Sequence, residues 1–142
     1  MPMTTSQVDA FLKVPHVAVM ALTGPDNKPH AVPVWYEWKD GAATLFMSPG
    51  SFKAKCLRHD AHMTLVVDTK KSPYKCVILK GKATLEIKMD EAGLRRVSIA
   101  YYGQREGVKY ADSLKGMELM FVTLKPDRII SWDYATDSDA GG

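Results

Sequence analysis

Apolar and polar positions along the chain follow two periods. Over residues 75–88, Val77, Leu79, Gly81, Ala83, Leu85 and Ile87 alternate with Lys80, Lys82, Thr84, Glu86 and Lys88. Period two over this length predicts one long strand with a wet face. Short runs rich in valine and aromatics at residues 16–22, 30–38, 42–48, 61–68, 117–124 and 128–134 predict six more. Turn chemistry separates several of them, at Gly24-Pro25-Asp26-Asn27, Asp40-Gly41 and Pro126-Asp127. Helical spacing appears in four places. Ser6 followed by Asp9 opens a helix with Val8, Phe11 and Leu12 inward and Pro15 as its stop. Residues 51–59 form a second. Asp90 caps a third, with Leu94, Val97 and Tyr101 inward; Gly103 to Gly107 breaks it, and residues 108–114 form a further helical piece.

About seven closely spaced strands joined by tight turns predict a mainly β fold. Helices are too few to serve as crossovers between parallel strands, so the expected architecture is an antiparallel barrel with flanking helices. The 142 residues make one domain, with residues 1–5 and 136–142 as frayed tails. A formal net charge of +3 is too mild for a dedicated nucleic-acid binder. No apolar run is long enough to span a bilayer, and residues 1–6 lack a signal-peptide pattern. Cys56 and Cys76 form no CxxC pair, which fits two buried thiols in a reducing cytoplasm.

GxSxG, HExxH, Walker and GxGxxG signatures are absent. No ligand set forms around His59 and His62, so no metal site is expected. The informative segment is Ser48-Pro49-Gly50-Ser51-Phe52-Lys53-Ala54-Lys55-Cys56-Leu57-Arg58. A strand ends, Pro-Gly turns the chain, and Ser51 can cap a helix whose first turn carries Lys53 and Lys55. Cations there oppose the helix dipole, and a bound anion would remove the conflict. A solvated basic face accounts for the same residues. Upstream, Pro33 interrupts the ladder within Val32-Pro33-Val34-Trp35. That marks either an edge strand or a place where a flat ligand lies alongside. Tyr36, Tyr101 and Tyr102 could donate a proton, or could be core and interface aromatics.

The stretch His30-Ala31-Val32-Pro33-Val34-Trp35-Tyr36, the helix Ser51-Phe52-Lys53-Ala54-Lys55-Cys56-Leu57, then Leu65-Val66-Val67-Asp68, Gly81-Lys82-Ala83 and Ile130-Ser131-Trp132-Asp133-Tyr134 resemble the pyridoxamine-phosphate-oxidase-like split-barrel superfamily. The similarity is greatest to its deazaflavin-dependent branch, which binds coenzyme F420. It runs from about residue 8 to residue 134. It implies a split barrel of six to seven strands, forming a homodimer with a cofactor groove at the interface. It carries phosphate binding over to Ser51, Lys53 and Lys55, with Ser48 on the entering strand, and places Val32, Pro33 and Val34 under the tricyclic ring. Met47 and Ala54 complete the implied cofactor contacts. Many relatives have Arg and Asn around Lys55 and Cys56; lysine lacks the planar fork that binds phosphate bidentately. Lys55 and Arg58, with Lys75 further off, could form a basic rim for the polyglutamate tail of F420. The implied activity is hydride transfer from reduced F420 to a small unsaturated or conjugated organic substrate. FMN chemistry, or non-catalytic flavin or haem carriage, are the alternatives. The vitamin B6 substrate pattern is missing near Trp132, where Asp133, Asp137 and Asp139 lie instead. Trp35, Tyr36, Trp38, Trp132 and Tyr134 are the aromatics expected at the dimer interface.

Overall fold

The structure, a computed structural model, describes residues 2–135. The expected tail at 136–142 lies outside the described residues. The elements, in order, are α1 (Thr5–Lys13), β1 (Ala18–Thr23), β2 (Pro29–Val34), β3 (Glu37–Lys39), β4 (Ala42–Met47), α2 (Phe52–His59), β5 (His62–Asp68), β6 (Lys75–Lys82), β7 (Thr84–Lys88), α3 (Glu91–Tyr102), α4 (Gln104–Ser113), β8 (Leu119–Leu124) and β9 (Arg128–Asp133). They build two antiparallel sheets, β2-β1-β5-β6-β9 and β3-β4-β8-β7. This is the expected split β-barrel.

Among the described residues nine strands form, where about seven were expected, because two of the predicted strands change sheets. Residues 30–38 divide at Trp35-Tyr36. There the Tyr36 N–H donates to the Tyr101 hydroxyl at 3.2 Å instead of to a ladder, and Trp35 stacks on Tyr101. Residues 75–88 divide at Ala83, whose N–H donates to the Ala61 carbonyl at 2.8 Å. Just before this corner, a Cβ on Gly81 would lie 3.2 Å from Leu124 Cδ1 and 3.3 Å from the Lys125 carbonyl, so glycine permits the close approach of the β8–β9 turn. Asp40 and Gly41 both have positive φ, 53° and 75°, as the two-residue hairpin turn requires.

The start of α1 also differs from the expectation. Thr4, rather than Ser6, is the cap: its hydroxyl accepts from the Gln7 N–H, and Gln7 Oε1 accepts from the Thr4 N–H at 2.8 Å. This reciprocal box satisfies two helix-end donors at once. Met3 N–H donates to Ser131 Oγ at 3.0 Å, which links the start of the chain to β9.

Leu12, Met20, Leu45, Leu57, Leu65, Leu79, Met120 and Leu124 form the barrel core. The second face of β8 is also covered, with Leu119 and Phe121 packing on Leu94 of α3. The expected break at Gly103 to Gly107 shrinks to Gly103 alone, at φ +85°. Gly107 is helical, and a Cβ there would fall 2.5 Å from Ile99 Cα. Backbone cannot yield as a flexible side chain can, so Gly107→Ala should cost about 1–3 kcal/mol, the usual range for overpacking. A drop of several degrees in melting temperature checks this; an unchanged melting temperature would show that the α3–α4 contact is looser than its geometry.

Candidate functional site

Three elements converge on a cavity of about 270 Å³. β2 contributes Pro33 and Val34, the end of β4 contributes Leu45 to Met47, and α2 contributes Lys53 from its first turn. Ser51 caps α2, its hydroxyl accepting from the Ala54 N–H at 3.2 Å. The Lys55 N–H donates to the Ser51 carbonyl at 3.1 Å, and the Ser51 N–H to the Ser48 carbonyl at 3.0 Å. Among the described residues, the N–H groups of Phe52 and Lys53 remain for an anion, and the first turn has no acidic side chain. The Ser51 hydroxyl still has its own proton to donate. These residues fit a phosphate-bearing flat cofactor: donors and a cation at one end, an apolar floor at the other.

The implied set divides. Pro33, Val34, Met47 and Lys53 line the cavity, and Ser48 and Ser51 frame the helix start beside it. Val32 packs against the barrel core and is not among the residues lining the cavity. Ala54 is fully buried in that core, and only its amide takes part, in the cap. Lys55 is exposed and not part of the lining. Of the basic rim, Arg58 is turned back by a 2.7 Å bond to the Pro49 carbonyl. Lys75 is 3.9 Å from Asp133 and lines a separate cavity beside α1, so it does not belong to the rim.

The other end of the cavity is aromatic. Trp35 stacks on Tyr101 at 4.9 Å with 6° between planes, and meets Tyr102 edge-on at 4.8 Å and Tyr110 at 5.8 Å. Tyr102 and Tyr110 line the cavity and remain 51% and 36% exposed. Local sequence gave no signal for Tyr110 or Phe46; the α3–α4 hairpin brings Tyr110 there from far along the chain. Tyr36 and Tyr101 are structural. The Tyr36 hydroxyl bonds the Leu12 carbonyl at 2.9 Å, and the Tyr101 hydroxyl donates to the His16 carbonyl at 2.6 Å. Burial pushes both phenols up, Tyr101 to about 12, so both stay protonated at neutral pH.

Pro33 also belongs to a second surface. Pro33, Val19, Val66, Ile78 and Ile130 pair in register across all five strands of the larger sheet. Ala18, Met20, Leu65 and Leu79, one residue along, are wholly buried, so this apolar row faces out of the barrel. Trp132 shares the face through its pairing with Cys76, and its indole N–H is buried with no acceptor among the described residues. Of the aromatics expected at an interface, Tyr36 and Trp38 are instead buried within the chain, Trp38 donating to Asp9 Oδ1 at 2.9 Å.

Among the described residues, no helix is long and apolar enough to cross a membrane. No curated protein matches the chain. Among solved structures, the chain is similar to a conserved hypothetical protein of Mycobacterium tuberculosis, at 26% identity and a TM-score of 0.75, over 93% of this chain and 86% of that one. An F420 reductase superposes with a TM-score of 0.68 at 15% identity, over 85% and 94% of the two chains. HutZ, the haem storage protein of Vibrio cholerae, superposes at 0.67 with 14% identity, over 91% and 95%. Both show the shared fold. The family model for pyridoxamine 5'-phosphate oxidase matches residues 4–133. With nearly every described residue inside that match, the chain belongs to the pyridoxamine 5'-phosphate oxidase family.

Proposed function

We propose that the protein is an oxidoreductase that uses reduced coenzyme F420 to reduce a small unsaturated or conjugated compound. The carrying observation is the single cavity that joins Lys53 and the α2 start to the Pro33–Val34 floor and the aromatic end. Lys53, the Ser51 hydroxyl and the free first-turn N–H groups would hold the phosphate. Pro33, Val34 and Met47 would support the ring. When bound, F420 supplies the hydride, which passes to an electrophilic carbon of the substrate. Trp35, Phe46, Tyr102 and Tyr110 would orient a flat substrate and exclude water. Tyr36 and Tyr101 are engaged elsewhere, so the balancing proton comes from solvent or from the Tyr102 or Tyr110 hydroxyl.

The cavity is incomplete in one chain. Its volume, about 270 Å³, falls below the range of roughly 300–1,000 Å³ usual for small-molecule sites. A second copy docked on the outward apolar row would meet the cavity at Pro33, cover the half-buried Val19, Val66, Ile78 and Ile130 side chains, and could supply an acceptor to Trp132 N–H. The functional unit in this reading is a homodimer with a cofactor groove at the interface.

FMN has the same ring-and-phosphate plan and is the second reading for the cofactor. A non-catalytic carrier is the second reading for the role, favoured by the superposition with HutZ. One titration separates them. F420 should bind more tightly than FMN at low salt, and the difference should shrink as salt screens Lys55 and the neighbouring cations. Reduced F420 on the protein should then be oxidised by some member of a panel of conjugated carbonyl acceptors. Tighter FMN binding would reverse the cofactor assignment; binding without turnover across the panel would favour the carrier.

A further inference from the structure

A larger cavity, which shares no lining residue with the first, lies where edge strands of the two sheets fail to close. Its volume is about 630 Å³, within the small-molecule range. The split arises because β9 and β3 are edge strands of different sheets. Helix α1 bridges it, and the cavity opens between α1, Trp38 of β3 and β9. Val8, Trp38, Ile129 and Ile130 form its apolar walls. Ile129 is 46% exposed although it sits in a strand, so the wall is uncovered in the chain as it stands.

Among the described residues, the charge at this cavity that has no partner is positive. Lys125 and Arg128 stand at its mouth, both exposed, and among the described residues no carboxylate pairs with either. Asp9 is the one acidic group in the lining, and both its oxygens are engaged: Oδ1 accepts from Trp38 Nε1 at 2.9 Å and Oδ2 lies 3.0 Å from Lys13 Nζ. These donors hold its carboxyl below the usual range, so it stays ionised and compensated. The first turn of α1, which borders the cavity at Thr5, carries no acidic residue to offset the helix dipole. An apolar chamber with two uncompensated cations at its entrance suits a ligand with an apolar body and one anionic end.

We propose that this cleft is a second binding site, separate from the cofactor cavity, for an amphiphilic monoanion such as a medium-chain carboxylate. The chain would lie against Val8, Trp38 and Ile129, and the carboxylate would face Arg128 and Lys125. Arg128 can engage it bidentately. The site shares no lining residue with the cofactor cavity, so it stands or falls independently of the F420 reading.

Decanoate is the probe, titrated calorimetrically into the full chain with and without cofactor. Decanoate should bind in both cases, more tightly than decanol, and more weakly as salt rises. Arg128→Ala combined with Lys125→Ala should weaken binding by about tenfold or more, the scale of a lost charge-assisted hydrogen bond. Ile129→Asp should abolish it by setting a carboxylate in the wall. All these side chains are exposed, and an unchanged melting temperature would confirm that the variants fold. Lys53→Ala should leave decanoate affinity unchanged. The proposal is overturned if decanoate gives no binding at millimolar concentration, if decanol binds equally well, or if Lys53→Ala removes the binding while the Arg128 and Lys125 variants retain it.

Discussion

In the proposed homodimer, Ile78→Asp should separate the two copies and weaken cofactor binding by at least about tenfold. Ile78 stands in the row Pro33–Val19–Val66–Ile78–Ile130, one strand in from the β9 edge, on the outward face of the larger sheet. In an isolated chain an aspartate there meets water and costs little. In a dimer built on this face it is desolvated, and the penalty for a buried unpaired charge is on the order of several kcal/mol. That exceeds what an interface of ordinary size can absorb without dissociating. The cofactor cavity shares Pro33 with this row, so losing the second copy should also remove the walls one chain lacks. Light scattering gives the mass and calorimetry the affinity. Circular dichroism of the variant shows whether the barrel persists. A dimeric Ile78→Asp protein with full cofactor affinity would place the interface elsewhere.

Lys53→Ala has the second large effect, on affinity alone. Lys53 lines the cavity from the first turn of α2, where no acidic residue is present. In the proposed site its ammonium would act on the same phosphate as the free first-turn N–H groups. Losing one charge-assisted hydrogen bond costs roughly 1.5–3 kcal/mol, about ten- to a hundred-fold in dissociation constant. The cofactor-free protein should be no less stable, because a cation leaves a helix N-terminus that disfavours it. Lys82→Ala, exposed at the far end of β6, is the control and should change neither quantity. If Lys53→Ala lowers the melting temperature of the cofactor-free protein and spares cofactor affinity, Lys53 is structural and the phosphate site lies elsewhere.

Local pattern reached far into this site. The Ser51 cap, the cations after it and the proline in β2 are short-range features; the cations and the proline each carry a physical cost that a ligand would offset. The same features did not show that Pro33 and Val34, but not Val32, line the cavity, because that depends on which elements arrive beside β2. Lys75 illustrates the same limit: it is basic, but it starts a strand whose neighbour carries Asp133 and lies against α1. Thr4 was missed as a cap because two overlapping cap patterns compete within three residues, and the reciprocal pair with Gln7 satisfies one more donor than Ser6 with Asp9 can.

By itself, the sequence determined what is encoded in neighbours along the chain. The alternation of apolar residues fixed the strands, Asp40-Gly41 fixed a hairpin turn, and Ser51 and Asp90 fixed two helix starts. Tertiary structure decided where strands change sheets, because a corner is set by contacts across the barrel: Tyr36 N–H on the Tyr101 hydroxyl, and Gly81 against the β8–β9 turn. It also decided that Tyr102 and Tyr110 face Pro33 and Lys53 across one cavity, although they come from opposite halves of the chain. Periodicity marks α3 and α4 as helices, but their packing on the outer face of β8 and the tight crossing at Gly107 set where their aromatic rings arrive.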